Sequence, residues 1–338
     1  MIFFNFATLL PAGLLLAGSL FGGWFIWASL VYITVFIWAL DRWVSGGAVR
    51  MGRGAEFPGG DGLLVLLALC FPVLLALAIR AVAVPEFTIW QCIGLIIGHG
   101  LYLGQVGHPV AHELIHRGAR WKRGLGRMVY ILMLMGHHAS SHLRVHHIHV
   151  GLASDPASAR RGIGFWRYAK RAWSGSFRAG LRAETALLAR AGKSRLHPYI
   201  WYLTGAILLV ATALALAGAG GVLTLLAIAS YAQVQVLRSD YVQHYGLRRS
   251  VDDQGKPEPV GPQHSWNAPH FGSSAMMLNA PRHSDHHQNP LRPYPALRLD
   301  ANMPVLPYSV PVMAVIALCP PLWRRIMDPR LDALDRPS

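Results

Sequence analysis

The sequence predicts an all-α protein, a six-transmembrane-helix bundle with a cytoplasmic helical cap that holds a histidine-rich centre. Three observations lead there. Of 338 residues, 53% are apolar and only 14% charged, with a mean hydropathy of +0.34, a balance that soluble domains rarely show. Uncharged runs recur along the chain, each long enough to cross about 30 Å of hydrocarbon, which takes roughly 20 residues. The 17 histidines fall mostly in the polar segments between and after those runs.

Residues 2–40 are apolar almost throughout and break only at Gly22-Gly23, so they are predicted to form a hairpin of two spans. Runs 62–79, 87–106, 199–217 and 221–237 supply four more. The tight turns are Gly22-Gly23, Val84-Pro85-Glu86 and 218–220, and they alternate with long polar segments around 41–61, 108–197 and 238–338. With six spans, every tight turn falls on one face and every polar segment on the other. Segment 108–197 carries 16 Lys and Arg against 3 acidic residues, and such an excess marks the cytoplasmic side. Both termini are therefore expected in the cytoplasm, with the bundle in a bacterial inner membrane.

The net charge of +15 does not point to a nucleic-acid partner, because its excess lies where topology alone would put it. Residues 1–106 are expected to hold spans one to four and 107–198 the cytoplasmic histidine region. Residues 199–238 would hold spans five and six, and 239–338 a C-terminal region completing the centre. The N-terminus shows no basic leader with a small-residue cleavage site, so the first span is expected to be retained. Run 305–323 is apolar but carries Pro307, Pro311, Pro320 and Pro321; it is expected to pack on the cap or lie at the interface rather than cross. Residues 254–263 read as a surface loop. Cys70, Cys92 and Cys319 show no paired spacing, so an electron carrier must be another chain.

The histidines are patterned. His112 and His116 stand in HELIH, His142, His146 and His147 in SHLRVHH, and His283, His286 and His287 in RHSDHHQNP. Spacings of i, i+4 and i+5 lie along one side of a helix. His244, in DYVQHYGL, follows the sixth span. Imidazole suits Zn, Cu, Fe and Ni. Nine imidazoles exceed the four ligands of a tetrahedral zinc and suit two ions of higher coordination number; iron is the one that commonly activates O2 beside an apolar substrate. His99 and His108 are expected to be packed or hydrogen-bonded, His137 and His138 to lie outside the pattern, and His149, His197, His264 and His270 to be peripheral. Glu113, Asp155, Asp240 and Asp285 lie near the clusters. Their expected role is to accept the outer N–H of a ligating imidazole and fix its tautomer, although direct bridging of the ions stays open.

These stretches resemble the signatures of the membrane-bound non-haem di-iron alkane monooxygenases, within the wider integral-membrane fatty acid hydroxylases and desaturases. HELIHR, HLRVHH with DPASAR, DYVQHYGL and RHSDHHQNP carry the likeness, which runs from about Gly107 to Pro329. The resemblance implies six transmembrane helices and two irons held by His112, His116, His142, His146, His147, His244, His283, His286 and His287. It also implies terminal hydroxylation of an alkyl chain with O2, and electrons from rubredoxin or a ferredoxin with its reductase. Where the family's second box usually opens Glu-His-Asn-Arg-Gly, this chain has Ser141, His142, Leu143, Arg144 and Val145. The histidines persist while their polar surroundings change, which leaves alkylbenzenes and terpenes as rival substrates.

The nearest competing function is a desaturase on the same metal core. An intramembrane zinc protease would use HELIH with Glu113 as base but leaves the other clusters without a role. A histidine-rich metal transporter would need ionisable groups within its spans, and those are nearly free of them.

Overall fold

Helices stand where the apolar runs stand. In the computed structural model, residues 1–44, 59–83, 86–192 and 196–334 are described. Among the described residues, five helical stretches are long and apolar enough to cross a membrane: α1 (Ile2–Phe21), α2 (Trp24–Trp43), α3 (Gly59–Val82), α4 (Ile89–Ile115) and, after three further helices, α8 (Pro198–His244). The other helices are α5 (Arg120–Leu132), α6 (137–149), α7 (Phe165–Ala191), α9 (Phe271–Met276), α10 (His283–Gln288), α11 (Val310–Ile316) and α12 (Pro320–Leu334). Among the described residues there is no β-strand, only the isolated bridges Val251–Pro257 and Asn267–Val305.

The sixth run does not appear as a separate helix. α8 spans 47 residues, about 70 Å if it were straight. It is broken at Ala217 (φ −151°, ψ 24°) and Gly218 (φ 59°, ψ −150°), the second in a region that only glycine enters readily. A Cβ on Gly221 would collide with the Ala213 carbonyl. Residues eight apart in a straight helix are separated by about 12 Å, so the chain doubles back at this break. The predicted turn at Gly22-Gly23 is built the same way, with φ of 63° and 62°. The predicted turn at Val84-Pro85 and most of segment 41–61 lie outside the described residues.

α4 runs past the expected end of its span and carries HELIH on the same rod. A π-helical turn at Leu103–Gly107 precedes Pro109, whose ring a regular turn would not accommodate. Tyr102 on α4 donates to the Thr8 carbonyl of α1 at 2.9 Å, and α8 packs on α3, α4 and α7. Large apolar side chains such as Phe6, Trp24, Leu69, Val73, Ile207 and Leu223 face outward, as helices surrounded by lipid require. Run 305–323 is not among the candidate spans; its α11 buries Val310, Met313 and Ala314, and the Arg238 guanidinium of α8 reaches the Ala314 carbonyl at 3.5 Å.

Candidate metal centre

Three helices and the end of a fourth bring all nine histidines of the four stretches together. They form two groups, His112, His116, His142, His147 and His286 in one and His146, His244, His283 and His287 in the other, with one ring nitrogen from each residue within 4.8 Å of the rest of its group. Neither group contains a carboxylate or a thiol among the described residues. Seven of the nine are buried, and His116 and His147 are partly so.

The local backbone decides the partition. On α4, His112 and His116 are one α-turn apart and stay together, their ring centroids separated by 5.1 Å. On α10, His283 and His287 are again i, i+4 and their Nε2 atoms lie 3.1 Å apart, while His286 turns to the other group. α6 departs from the regular pattern. His142–His146 is a π-helical turn, in which the His147 amide donates to the His142 carbonyl five residues back. A regular helix would set His147 about 140° round the axis from His142 and keep His142 beside His146. The π-turn instead faces His142 to His147, Nε2 to Nε2 at 3.0 Å, and sends His146 to the second group.

These contacts do not work as hydrogen bonds. A ring nitrogen carries either a proton or a lone pair. His147 Nε2 faces His142 Nε2 at 3.0 Å and His286 Nε2 at 3.2 Å; His283 Nε2 likewise faces His244 at 3.0 Å and His287 at 3.1 Å. One central atom cannot satisfy two such neighbours with one proton. Nitrogens about 2.1 Å from a shared ion would stand roughly 3.0–3.4 Å apart at tetrahedral to right angles, which is the spacing seen. The Nε2 atoms of His112, His116 and His146 are buried without a hydrogen-bond partner. The donor set therefore fits two metal ions held by imidazole alone.

Burial and neighbouring imidazoles keep the rings neutral and ligating. Burial pushes His116 down to about 3, with Arg117 adding to it, and lowers His142, His147, His283, His286 and His287 well below the ordinary histidine value. His146 is the exception. Its burial opposes the charge, but the Asp155 carboxylate outweighs that and raises its pKa, with Asp240 adding to the effect.

Of the four carboxylates near the clusters, Asp155 is the one that hydrogen-bonds to a cluster imidazole among the described residues. His146 Nδ1 donates to Asp155 Oδ2 at 2.8 Å, which leaves Nε2 with its lone pair toward the second group. The DPAS stretch holds the carboxylate in place through the Ala157 amide (3.0 Å) and the Ser158 hydroxyl (2.7 Å). Glu113 points elsewhere, to the Arg117 guanidinium at 3.0 Å and the Tyr294 amide at 3.2 Å, because a residue beside a ligand is turned about 100° from it. Asp285 is held by Arg292, Asn289 and the Arg298 amide. Asp240 is buried, and no hydrogen bond joins it to a cluster imidazole among the described residues.

The remaining histidines take other places. His99 bonds to the Leu95 carbonyl at 2.9 Å and to Ser19 at 3.3 Å. His108 meets the Tyr130 hydroxyl at 3.1 Å, and His138 lies between Tyr130 and His142; Tyr130 carried no sequence signal. His137 packs against Trp173 and Phe177. Where α2, α4, α8 and α11 meet there is a largely apolar groove of about 480 Å³, open to the outside past Trp38 and Val315. Residues Leu30 to Trp38 supply one wall, whereas Trp24 and Trp27 face outward.

Comparison with known proteins agrees with this architecture. A fatty acid desaturase family model matches residues 87–316. Alkane 1-monooxygenase 2 of Pseudomonas aeruginosa is 31% identical over 321 residues, covering 91% of this chain and 85% of the relative. Alkane 1-monooxygenase 1 of the same organism is 33% identical over 284 residues, 81% and 74% of the two chains. The xylene/toluene monooxygenase hydroxylase component XylM of Pseudomonas putida is 29% identical over 257 residues, 73% and 66%. The chain belongs to the alkane monooxygenase family, integral-membrane oxidoreductases within the broader fatty acid desaturase family.

Proposed function

We propose that the protein is a di-iron monooxygenase that hydroxylates the terminal methyl group of an alkane or a similar alkyl chain. The observation that carries this reading is the pair of all-histidine groups, held in part by α4 and α8, which also line an apolar groove. His112, His116, His142, His147 and His286 would hold one iron and His146, His244, His283 and His287 the other. The bound irons would supply activation of O2, with electrons from an external carrier. The protein's own contribution is placement. Asp155 fixes the His146 tautomer, and the apolar groove would present a chain end, which is worth several orders of magnitude in effective concentration.

In this reading the break in α8 separates two crossings and the bundle has six. Residues 1–106 hold four of them, 199–238 the last two, and 107–198 with 239–338 form the cap on the cytoplasmic face of a bacterial inner membrane. Rubredoxin or a ferredoxin with its reductase would supply the electrons. The exposed cations Arg160, Arg167, Lys170, Arg178 and Arg182 make a basic surface suited to an acidic carrier, while Arg161 is paired with Asp332.

The test is product analysis of purified protein, given a reductant and a mixed panel of alkane, alkylbenzene and terpene. A primary alcohol from the alkane supports the assignment. The match to a fatty acid desaturase model favours one second reading, removal of two hydrogens, which the same panel reveals as an alkene.

A further inference from the structure

A buried tyrosine stands beside the histidine groups with a base at its hydroxyl. α5 lies close on the end of α4 because Gly126 has no side chain; a Cβ there would sit 2.8 Å from the Ala111 carbonyl. Tyr130 follows one turn later on the same face of α5 and is fully buried. Its ring lies 4.9 Å from that of His138, centroid to centroid. His138 in turn lies 5.5 Å from His142, the two rings 26° from parallel. Because His138 belongs to neither metal group, one non-ligating ring separates Tyr130 from a ligand.

The direction of the tyrosine's hydrogen bond follows from its burial. Among the described residues its hydroxyl meets His108 Nδ1, at 3.1 Å, and no other partner. Were Nδ1 the donor, the phenolic hydrogen would be buried without an acceptor, which is costly. The phenol therefore donates and Nδ1 holds a lone pair. Other buried tyrosines differ. Tyr102, Tyr168 and Tyr241 donate to the carbonyls of Thr8, Ala157 and Ile163, which are not bases. Tyr245 donates to the Asp328 carboxylate, but its ring packs on Tyr241 and Trp323 rather than on a histidine. Burial, with Asp240 adding to it, pushes the Tyr130 phenol well above its ordinary range, so it keeps its proton until an electron leaves. A phenol that has lost an electron is strongly acidic, and a base within hydrogen-bond reach takes its proton.

We propose that Tyr130 is redox-active and protects the centre. When O2 is activated there with no substrate in place, Tyr130 gives one electron to the resulting oxidant through the ring of His138. Its O–H bond breaks as an N–H bond forms at His108 Nδ1. The oxidant is reduced by one electron, leaving a neutral tyrosyl radical and a protonated imidazole. One electron from the external carrier, with the proton on His108, restores the phenol. The oxidant is thereby spent on a replaceable electron instead of on the ligand imidazoles around it. The inference rests on the di-iron reading, which supplies the oxidant.

The experiment is freeze-quench EPR on full-length, iron-loaded protein in nanodiscs, reduced with dithionite and mixed with O2 in the absence of alkane. Iron content and octane hydroxylation are measured on the same samples. The expected result is a radical signal that narrows when the tyrosine rings are deuterated and is lost in Tyr130→Phe. His108→Asn, which keeps a hydrogen-bond acceptor near the place of Nδ1 but no base, should lose it too, whereas Tyr245→Phe should retain it. Over repeated substrate-free cycles, Tyr130→Phe should also gain oxygen on its ligand histidines faster than the native protein, read by peptide mass spectrometry. A signal that persists in Tyr130→Phe, or that ignores tyrosine deuteration, would overturn the proposal. So would the absence of a radical in protein that holds iron and hydroxylates octane, a result that leaves the hydroxylase reading standing. Protein that holds no iron and hydroxylates nothing fails the di-iron reading, and the proposal falls with it. If Tyr130→Phe does not fold, the native radical decides: a coupling to the nitrogen of isotopically labelled histidine supports Tyr130, and its absence counts against it.

Discussion

His142 and His147 face each other across 3.0 Å, Nε2 to Nε2, while the amide of His147 donates to the carbonyl of His142. One π-helical turn therefore sets both the backbone and the ligand pair. Such turns recur at functional sites, and here the extra residue in the turn distributes the second histidine box over both groups.

Shortening that turn tests its role. Deleting Leu143 would make His142 and His147 i, i+4 and move His146 onto a different face. Metal content should fall in both groups while helix content by circular dichroism stays near that of the native protein. Full metal loading of the deletion variant would show that the turn is incidental.

Asp155 is expected to act through His146. Asp155→Ala removes the acceptor that fixes the ring, and losses of this kind typically cost about 10–100-fold in metal affinity. Metal titration of the variant should show one ion weakened and the other retained. Equal weakening of both would point to a general packing role for the DPAS turn.

How much of this was legible in the sequence depends on whether a feature is local. The nine histidines stood out because i, i+4 spacing and position at a span's end are local properties, and the structure gathers all of them. Their division into five and four was not legible, since it depends on a π-turn that the spacing in SHLRVHH does not announce. Among the four carboxylates, Asp155 meets an imidazole because its own turn aims it, whereas Glu113 and Asp285 are drawn to Arg117 and Arg292. Hydropathy placed the helices well but did not show that α4 would run unbroken into HELIH or that glycine would fold α8 back on itself.

Acid should loosen the metal-free centre, and the sign follows from the direction of the shifts. His116 is lowered from 6.5 to about 3 in the folded chain, so the unfolded chain binds more protons between those values and stability rises with pH across that window. The stabilisation from keeping these rings neutral is complete above about pH 6.5 and is lost progressively as pH falls toward about 3. Among the nine rings, His146, with its pKa raised, is the one that opposes the trend. Thermal unfolding of metal-free protein at stepped pH checks this; a midpoint that does not move over the window would contradict it.

The crossing of α4 and α8 at Gly104 leaves no room for a side chain, because an added Cβ would lie 2.5 Å from Gln235 Cβ. Gly104→Ala should destabilise by about 1–3 kcal/mol, the usual cost of overpacking a tight contact. The readout is a lower apparent unfolding midpoint in detergent, with helix content unchanged at low temperature. An unaltered midpoint would mean that the helices part without cost.

The central claim is that two ions sit side by side in imidazole cages with no carboxylate between them. Metal quantitation on purified native protein, combined with X-ray absorption at the iron edge, tests it most directly. The account predicts two irons per chain and a first shell dominated by imidazole nitrogen, with His286→Ala and His244→Ala each removing about one iron and abolishing turnover while expression persists. A single zinc per chain in a four-ligand site, or full turnover by either variant with its iron complement intact, would contradict it.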